Sequence, residues 1–326
     1  MYYHGMRKHS RNLLLVLFAS PACVIAACVG PLEKPEDKAV KFLTREVPAW
    51  PKNNGCFSCH NNGDAARALF AATRKGYRIP KVALAGTTVW LLDPLRWDKN
   101  KGNPGFSDQT LADIQFSAAL CIAQDTGLTK KNAAIAMSAR KLAAVQDMSG
   151  AWIITPAASA GSPATYGTSL ATYMALTALS KVETTVAKVA RRKGAEWLKK
   201  SQPRNTIEIS AVLQANAAQL THLEKIEEQS LLRRLMNSTH EDGGWGSYKD
   251  SPSEPFDTAL ALLAIKSYRD GPELKVLTRR ARRFLARIQD ADGGWPATTR
   301  PAGGDSYAQR ISTTAWALIA LLETRD

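Results

Sequence analysis

Five stretches of the chain carry apolar residues around most of a helical circumference rather than on one stripe: Thr110–Gln124, Thr168–Leu179, Ile209–Leu220, Asp257–Tyr268 and Ser312–Glu323. Each is rich in Ala and Leu, which favour helix, and a helix this apolar must be buried on two sides. The helical segments before them carry Lys and Arg on one face, as in Arg191-Arg192-Lys193 and Arg279-Arg280 with Arg282-Arg283, and so bury only one side. Alternation of one-sided and two-sided helices predicts two concentric layers. The order repeats about six times at spacings of roughly 40–55 residues, the range of helical hairpin repeats. The chain is expected to be all-α.

The repeats share residues as well as pattern. Residues 280–295 read Arg280-Ala281, Phe284-Leu285, Gln289, Gly293 and Trp295. Leu142, Gln146, Gly150 and Trp152 repeat the end of this string, and Lys193-Gly194, Trp197-Leu198 and Gln202 repeat its beginning. Asp-Gly-Gly-Trp at 242–245 is a further end, with Thr239 in place of Gln, and Lys38-Ala39 with Phe42-Leu43 is a faint beginning. Gln has donors and an acceptor for helix-end groups, and Gly lets backbone approach an indole. This string resembles the QW motif of squalene–hopene and oxidosqualene cyclases, shared more loosely by protein prenyltransferase β subunits. The resemblance implies an α/α toroid over residues 38–326, in which Gln caps a neighbouring helix and stacks on Trp. It gives Trp152, Trp245 and Trp295 a structural role.

The same resemblance tests for cyclase chemistry. Proton-initiated members carry Asp-x-Asp-Asp-Thr-Ala at the start of an inner helix, the middle Asp being the acid. Here the matching stretch is Glu254-Pro255-Phe256-Asp257-Thr258-Ala259. Phe256 stands at the donor's place, and Asp257, a weak catalytic candidate, reads more simply as an N-cap or first-turn acid. The expectation is a toroid that does not cyclise squalene by protonation. No Ser-His-Asp set, phosphate loop or dinucleotide fingerprint is evident, and no convincing zinc triad of the prenyltransferase kind.

Cys56-Phe57-Ser58-Cys59-His60 is the sharpest chemical signal. Thiols at this spacing can add across the two vinyl groups of a haem, and the adjacent His can then ligate iron. Covalent haem c is the leading reading; a local disulfide and a zinc site with another His remain open. The segment lies between helical patterns at Lys38–Arg45 and Ala65–Lys75, where other repeats have the Gly-x-Trp loop. It is thus expected at the same end of the ring as His240, the first candidate for a distal ligand, and Met148, the second. His222 is expected at the opposite end, and Cys121 as a core thiol. A haem protein of this kind would transfer electrons or bind a small apolar ligand; the alternatives are a terpenoid cyclase-like or prenyltransferase-like enzyme with a pocket inside the ring, and a haem-free binding scaffold.

The N-terminus suggests where the protein works. Arg7, Lys8 and Arg11 precede the apolar runs Leu13–Ala19 and Val24–Ala27, the layout of an export signal. Ile25-Ala26-Ala27-Cys28 resembles a bacterial lipobox. The organisation expected is a signal peptide over 1–27, a tether over 28–37, the CxxCH hairpin over 38–76 and further repeats over 77–326. The protein would be a periplasm-facing lipoprotein of a bacterial envelope, held on the membrane by its lipid, with a redox partner or apolar ligand. Loss of residues 1–27 removes three cations and lowers the formal charge from +14 to +11. The remaining cations are spread over solvated helix faces with no nucleic-acid motif, so nucleic acid is not an expected partner. Mass spectrometry of the mature protein should find a lipidated Cys28 at its N-terminus; a free N-terminus at any other residue would refute the lipobox.

Overall fold

The computed structural model describes residues 33–100, 108–127, 132–154, 167–268, 271–297 and 306–325; the signal, the lipobox and Cys28 lie outside these. Residues 34–326 form one compact unit. The described residues are helical, without strands. Among the described residues twelve α-helices alternate between an outer and an inner position. The outer ones are α1 (Pro35–Asn54), α3 (Lys81–Leu91), α5 (Asn132–Ala144), α7 (Thr185–Lys200), α9 (Lys225–Asn237) and α11 (Pro272–Arg287). The inner ones are α2 (Ala66–Arg74), α4 (Gln109–Asp125), α6 (Gly167–Leu179), α8 (Thr206–Ala217), α10 (Pro255–Ile265) and α12 (Tyr307–Glu323). A π-helical turn, Cys59–Ala65, leads into α2, and a 3₁₀ turn, Pro94–Lys99, follows α3.

Each inner helix packs on the next, and α12 packs on α2, so the inner layer is a closed six-membered ring. This is the expected α/α toroid of six hairpins. The apolar inner sequences explain it: α10 buries every residue from Pro255 to Ile265, whereas α7 buries only Ala187, Ala190, Gly194 and Leu198 and turns its Lys and Arg outward. Boundaries differ from the sequence pattern at three places. The first helix runs on through Pro48 and Pro51 to Asn54. Asn205 caps α8 through Glu208 N and starts it before the apolar run. Ser306 does the same for α12 through Gln309 N.

The repeat string joins the layers through one set of bonds. The indole N–H groups of Trp152, Trp245 and Trp295 donate to the carbonyls of Leu142, Leu235 and Leu285 at 2.8, 2.7 and 2.8 Å. Their backbone N–H groups donate to Thr172, Thr258 and Thr314 Oγ1 on the following inner helices. Gln146 Nε2 donates to Ala190 O and Gly150 O, and Gln289 Nε2 to Pro35 O and Gly293 O. These glutamines thus tie the next outer helix by donating to its carbonyls. Gly150, Gly243 and Gly293 all have positive φ and press on the backbone of Lys193, Arg280 and Lys38. The last contact runs from the end of α11 to the start of α1 and closes the outer layer.

A Cβ at Gly150 would lie 2.5 Å from Lys193 O and at Gly243 2.9 Å from Arg280 O, so these sites exclude side chains by both space and φ. Gly293→Ala should therefore cost ~3 kcal/mol in urea unfolding. Gly86→Ala, on an open face of α3, should instead stabilise by up to about 1 kcal/mol. Equal effects of the two would refute the joint as a closed contact.

Candidate functional site

The π-helical turn is built by side chains that replace ordinary helical bonds. Ser58 Oγ accepts from the backbone N–H of His60 and Asn61. Asn61 Nδ2 donates to Glu46 O, and Asn62 Nδ2 to Val47 O and Thr87 Oγ1. Gly63 presses on α4, where a Cβ would lie 2.9 Å from Gln115 Cβ. The extra residue of a π turn rotates the side chains beyond it about the helix axis. Asp64 is the one this turn directs inward.

Asp64 is fully buried among three elements of the inner ring. Its Oδ2 accepts from Ser312 Oγ (2.6 Å), Gln115 Nε2 (2.7 Å) and Trp316 Nε1 (3.2 Å). Its Oδ1 lies 3.6 Å from Arg67 Nη2. Arg67 is itself buried, with Cζ 4.0 Å above the Trp316 ring and Nη1 3.2 Å from Met174 Sδ. Its Nε and Nη2 have no hydrogen-bond partner, and neither has Gln115 Oε1. Phe256 meets Trp316 edge to face at 5.8 Å. The result is a buried polar pair with an aromatic wall, contributed by α2, α4, α6, α10 and α12. Buried groups of this kind are normally satisfied, so the open N–H pair of Arg67 has the character of a binding group.

The CxxCH segment begins the same turn. Cys56 and Cys59 are half-buried and not joined to each other; His60 is buried. Cys59 Sγ is 3.1 Å from His60 Nδ1, while His60 Nε2 has no partner. Phe57 stacks on Trp90 at 4.5 Å and its backbone is clamped by Asn100, which fixes the loop. Burial lowers the His60 pKa to about 4 against the opposing pull of Asp64, so the imidazole is neutral. Burial, reinforced by Asp64, pushes the Cys59 thiol up to about 12; the residue keeps some exposed surface, but its sulfur is desolvated. These residues fit haem in chemical type: a neutral imidazole with a free Nε2 beside two unbridged thiols. Among the described residues no three His, Cys, Asp or Glu group to hold a metal ion.

The other sequence candidates are not brought to this segment by any hydrogen bond or ring contact. His240 uses both ring nitrogens inside its own loop, Nδ1 with Ser253 Oγ and Nε2 with Lys249 O, each at 2.8 Å. Met148 is 97% exposed on the turn after α5. His240 is thus engaged within its own loop, and Met148 faces solvent. His222 is exposed, and Cys121 is a buried thiol of α4 facing Ala178 O at 3.9 Å. Asp257 is a buried first-turn acid of α10, whose N-cap position is held by Glu254. The Asp64–Arg67 centre was missed in the sequence. Its signal was polar residues, Arg67, Gln115 and Ser312, set in helices that otherwise read as apolar.

No family model matches the chain, and no curated protein does. Solved structures do. An arginine-to-alanine variant of the type II terpene cyclase MstE from Scytonema, in complex with geranylgeranyl dihydroxybenzoate, is 13% identical, with a TM-score of 0.59 over 89% of this chain and 97% of that one. The same cyclase without ligand is 13% identical with a TM-score of 0.56 over 88% and 98%. A protein from Actinoplanes is 14% identical with a TM-score of 0.56 over 88% and 99%. At this identity the likeness is one of fold.

The raised thiol pKa values set an order of reactivity. Burial also holds Cys121 at about 12, so at pH 8 both it and Cys59 are protonated and slow towards iodoacetamide. In residues 34–326 made without haem-attachment factors, peptide mapping should find Cys56 labelled first. Labelling of Cys59 as fast as Cys56 would show that its sulfur is not enclosed.

Proposed function

We propose that the chain is a small-molecule-binding α/α toroid of the terpenoid cyclase kind, with its ligand inside the ring. The polar end of the ligand meets the Nε and Nη2 N–H groups of Arg67, and its apolar part lies against Trp316 and Phe256. The observation that carries this reading is the buried Arg67, whose Nε and Nη2 make no hydrogen bond although Nη2 lies 3.6 Å from Asp64 Oδ1. The ligand of the similar cyclase, an apolar isoprenoid chain with a polar aromatic head, has the matching chemistry.

Binding is proposed here rather than protonation of an alkene. Asp64 Oδ2 is occupied by three donors, and Phe256, which carries no proton to give, forms the wall beside Trp316. Delivery of a proton to an alkene needs a carboxylic O–H directed at the substrate.

A second reading is favoured by the open Nε2 of His60. Cys56 and Cys59 would hold a haem through thioethers and His60 would hold its iron, the group supplying one-electron chemistry when bound. Both readings are proposed for an exported protein lipidated at Cys28, facing the periplasm from a bacterial membrane, with a redox partner in the haem case.

Geranylgeranyl dihydroxybenzoate should quench the tryptophan fluorescence of the purified protein saturably. Arg67→Met should weaken this binding at least roughly tenfold, the worth of a charge-assisted hydrogen bond, with unfolding monitored separately. Squalene should yield no cyclic product. Unchanged affinity in Arg67→Met, or a product lost in Asp64→Asn, would overturn the binding reading. Haem staining after expression with cytochrome c maturation factors, lost in Cys59→Ala, tests the second; a colourless matured protein refutes it.

A further inference from the structure

Outer helices α1, α7, α9 and α11 turn several cations to solvent, whereas α3 turns out one, Lys81 at its first position. Helix α3 buries Ala83, Leu84, Thr87, Trp90 and Leu91 and leaves Val82, Ala85, Gly86 and Val89 outside. The exposed set falls at i, i+3, i+4 and i+7, a complete helical stripe. Val82 is 77% exposed and Val89 63%, and Leu95 of the following 3₁₀ turn adds another exposed apolar side chain at 63%. A second apolar face on an outer helix has no counterpart in the core, so packing of the ring does not account for it.

The rim of this face is basic. Arg78, Lys81, Arg96 and Lys99 are exposed, and none forms an ion pair among the described residues. From Arg78 to Leu92 there is no acid. Two acids follow, half-buried Asp93 and exposed Asp98, and Asp98 is paired with Lys141 at 2.6 Å, a cation that also lies 3.5 Å from Asp113. Lys81 also stands in the first turn of α3, where the helix dipole adds to its field. Apolar side chains in the middle with uncompensated Lys and Arg at the edge match the boundary between acyl chains and anionic headgroups. No described helix is long and apolar enough to cross a membrane, so such a contact would be interfacial.

We infer that the toroid rests on an anionic phospholipid surface through the exposed face of α3 and its 3₁₀ turn. The contact is independent of the ligand inside the ring and of a lipid at Cys28, and residues 34–326, which hold every ring element, are sufficient to test it. This unit should sediment with vesicles of phosphatidylcholine and phosphatidylglycerol but not with phosphatidylcholine alone. Val82→Ser, Val89→Ser and Leu95→Ser combined should weaken sedimentation roughly tenfold, the scale of three partly inserted apolar groups. The same changes at Val186 and Ile226, exposed on other outer helices, should leave it intact. No sedimentation with anionic vesicles, or sedimentation that survives the triple variant, would overturn the proposal. So would self-association in light scattering that the triple variant abolishes, since the face would then join two copies of the chain.

Discussion

The indole of the repeat loop holds this molecule together. One tryptophan makes three attachments at once: its ring N–H to the end of its own outer helix, its backbone N–H to a threonine of the following inner helix, and its buried ring to the core between them. The adjacent glycine adds a fourth by lying on the next outer helix. Each bond contributes only about 1 kcal/mol net, but the indole body contributes burial of a full aromatic side chain and fixes the geometry of all four. Among the described residues three such staples join α5 to α7, α9 to α11 and α11 to α1; at the unstapled joint of α7 with α9 there is a surface cleft lined by Leu198, Pro203, Ile226 and Arg234, bridged by Arg234 donating to Pro203 O.

The joints also show how far the motif tolerates change. At Thr239 the glutamine is missing, and its hydroxyl turns back to Met236 O instead of reaching the neighbour. Arg280 of the next helix supplies the link from the other side, donating to His240 O and Glu241 O. The constraint is therefore the close approach of Gly243 and the seat of Trp245, and the polar tie can come from either helix.

The ring was legible in the sequence because its causes are local and repeated: alternating helix amphipathicity, and a Gln-Gly-Trp spacing visible within seven residues. Outer helix α3 escaped the pattern because its solvent face is apolar. The candidate site was legible only where its chemistry is contiguous, as at Cys56–His60. Asp64 owes its character to Gln115, Ser312 and Trp316, which lie 51, 248 and 252 residues away; packing of α4 on the turn brings the first, and closure of α12 on α2 the other two. The stretch around Phe256 shows the reverse. Its position in the sequence resembles that of a proton donor, and its side chain does reach the ring interior, but as a wall against Trp316.

The two chemical features of the chain are not independent sites. His60 and Asp64 lie four residues apart on one π-helical turn, and Arg67 comes three residues later on the helix it starts. The turn is braced by Asn61 and Asn62 against α1 and α3, so it cannot shift one end without the other. Asp64 raises the proton affinity of His60 while burial lowers it, and burial prevails. Neutralising Asp64, or drawing Arg67 away towards a ligand, would alter the balance felt at the imidazole. Between buried groups such coupling is screened less than at the surface. A change of charge at Asp64 is therefore felt at the cysteine–histidine end through a single turn of seven residues.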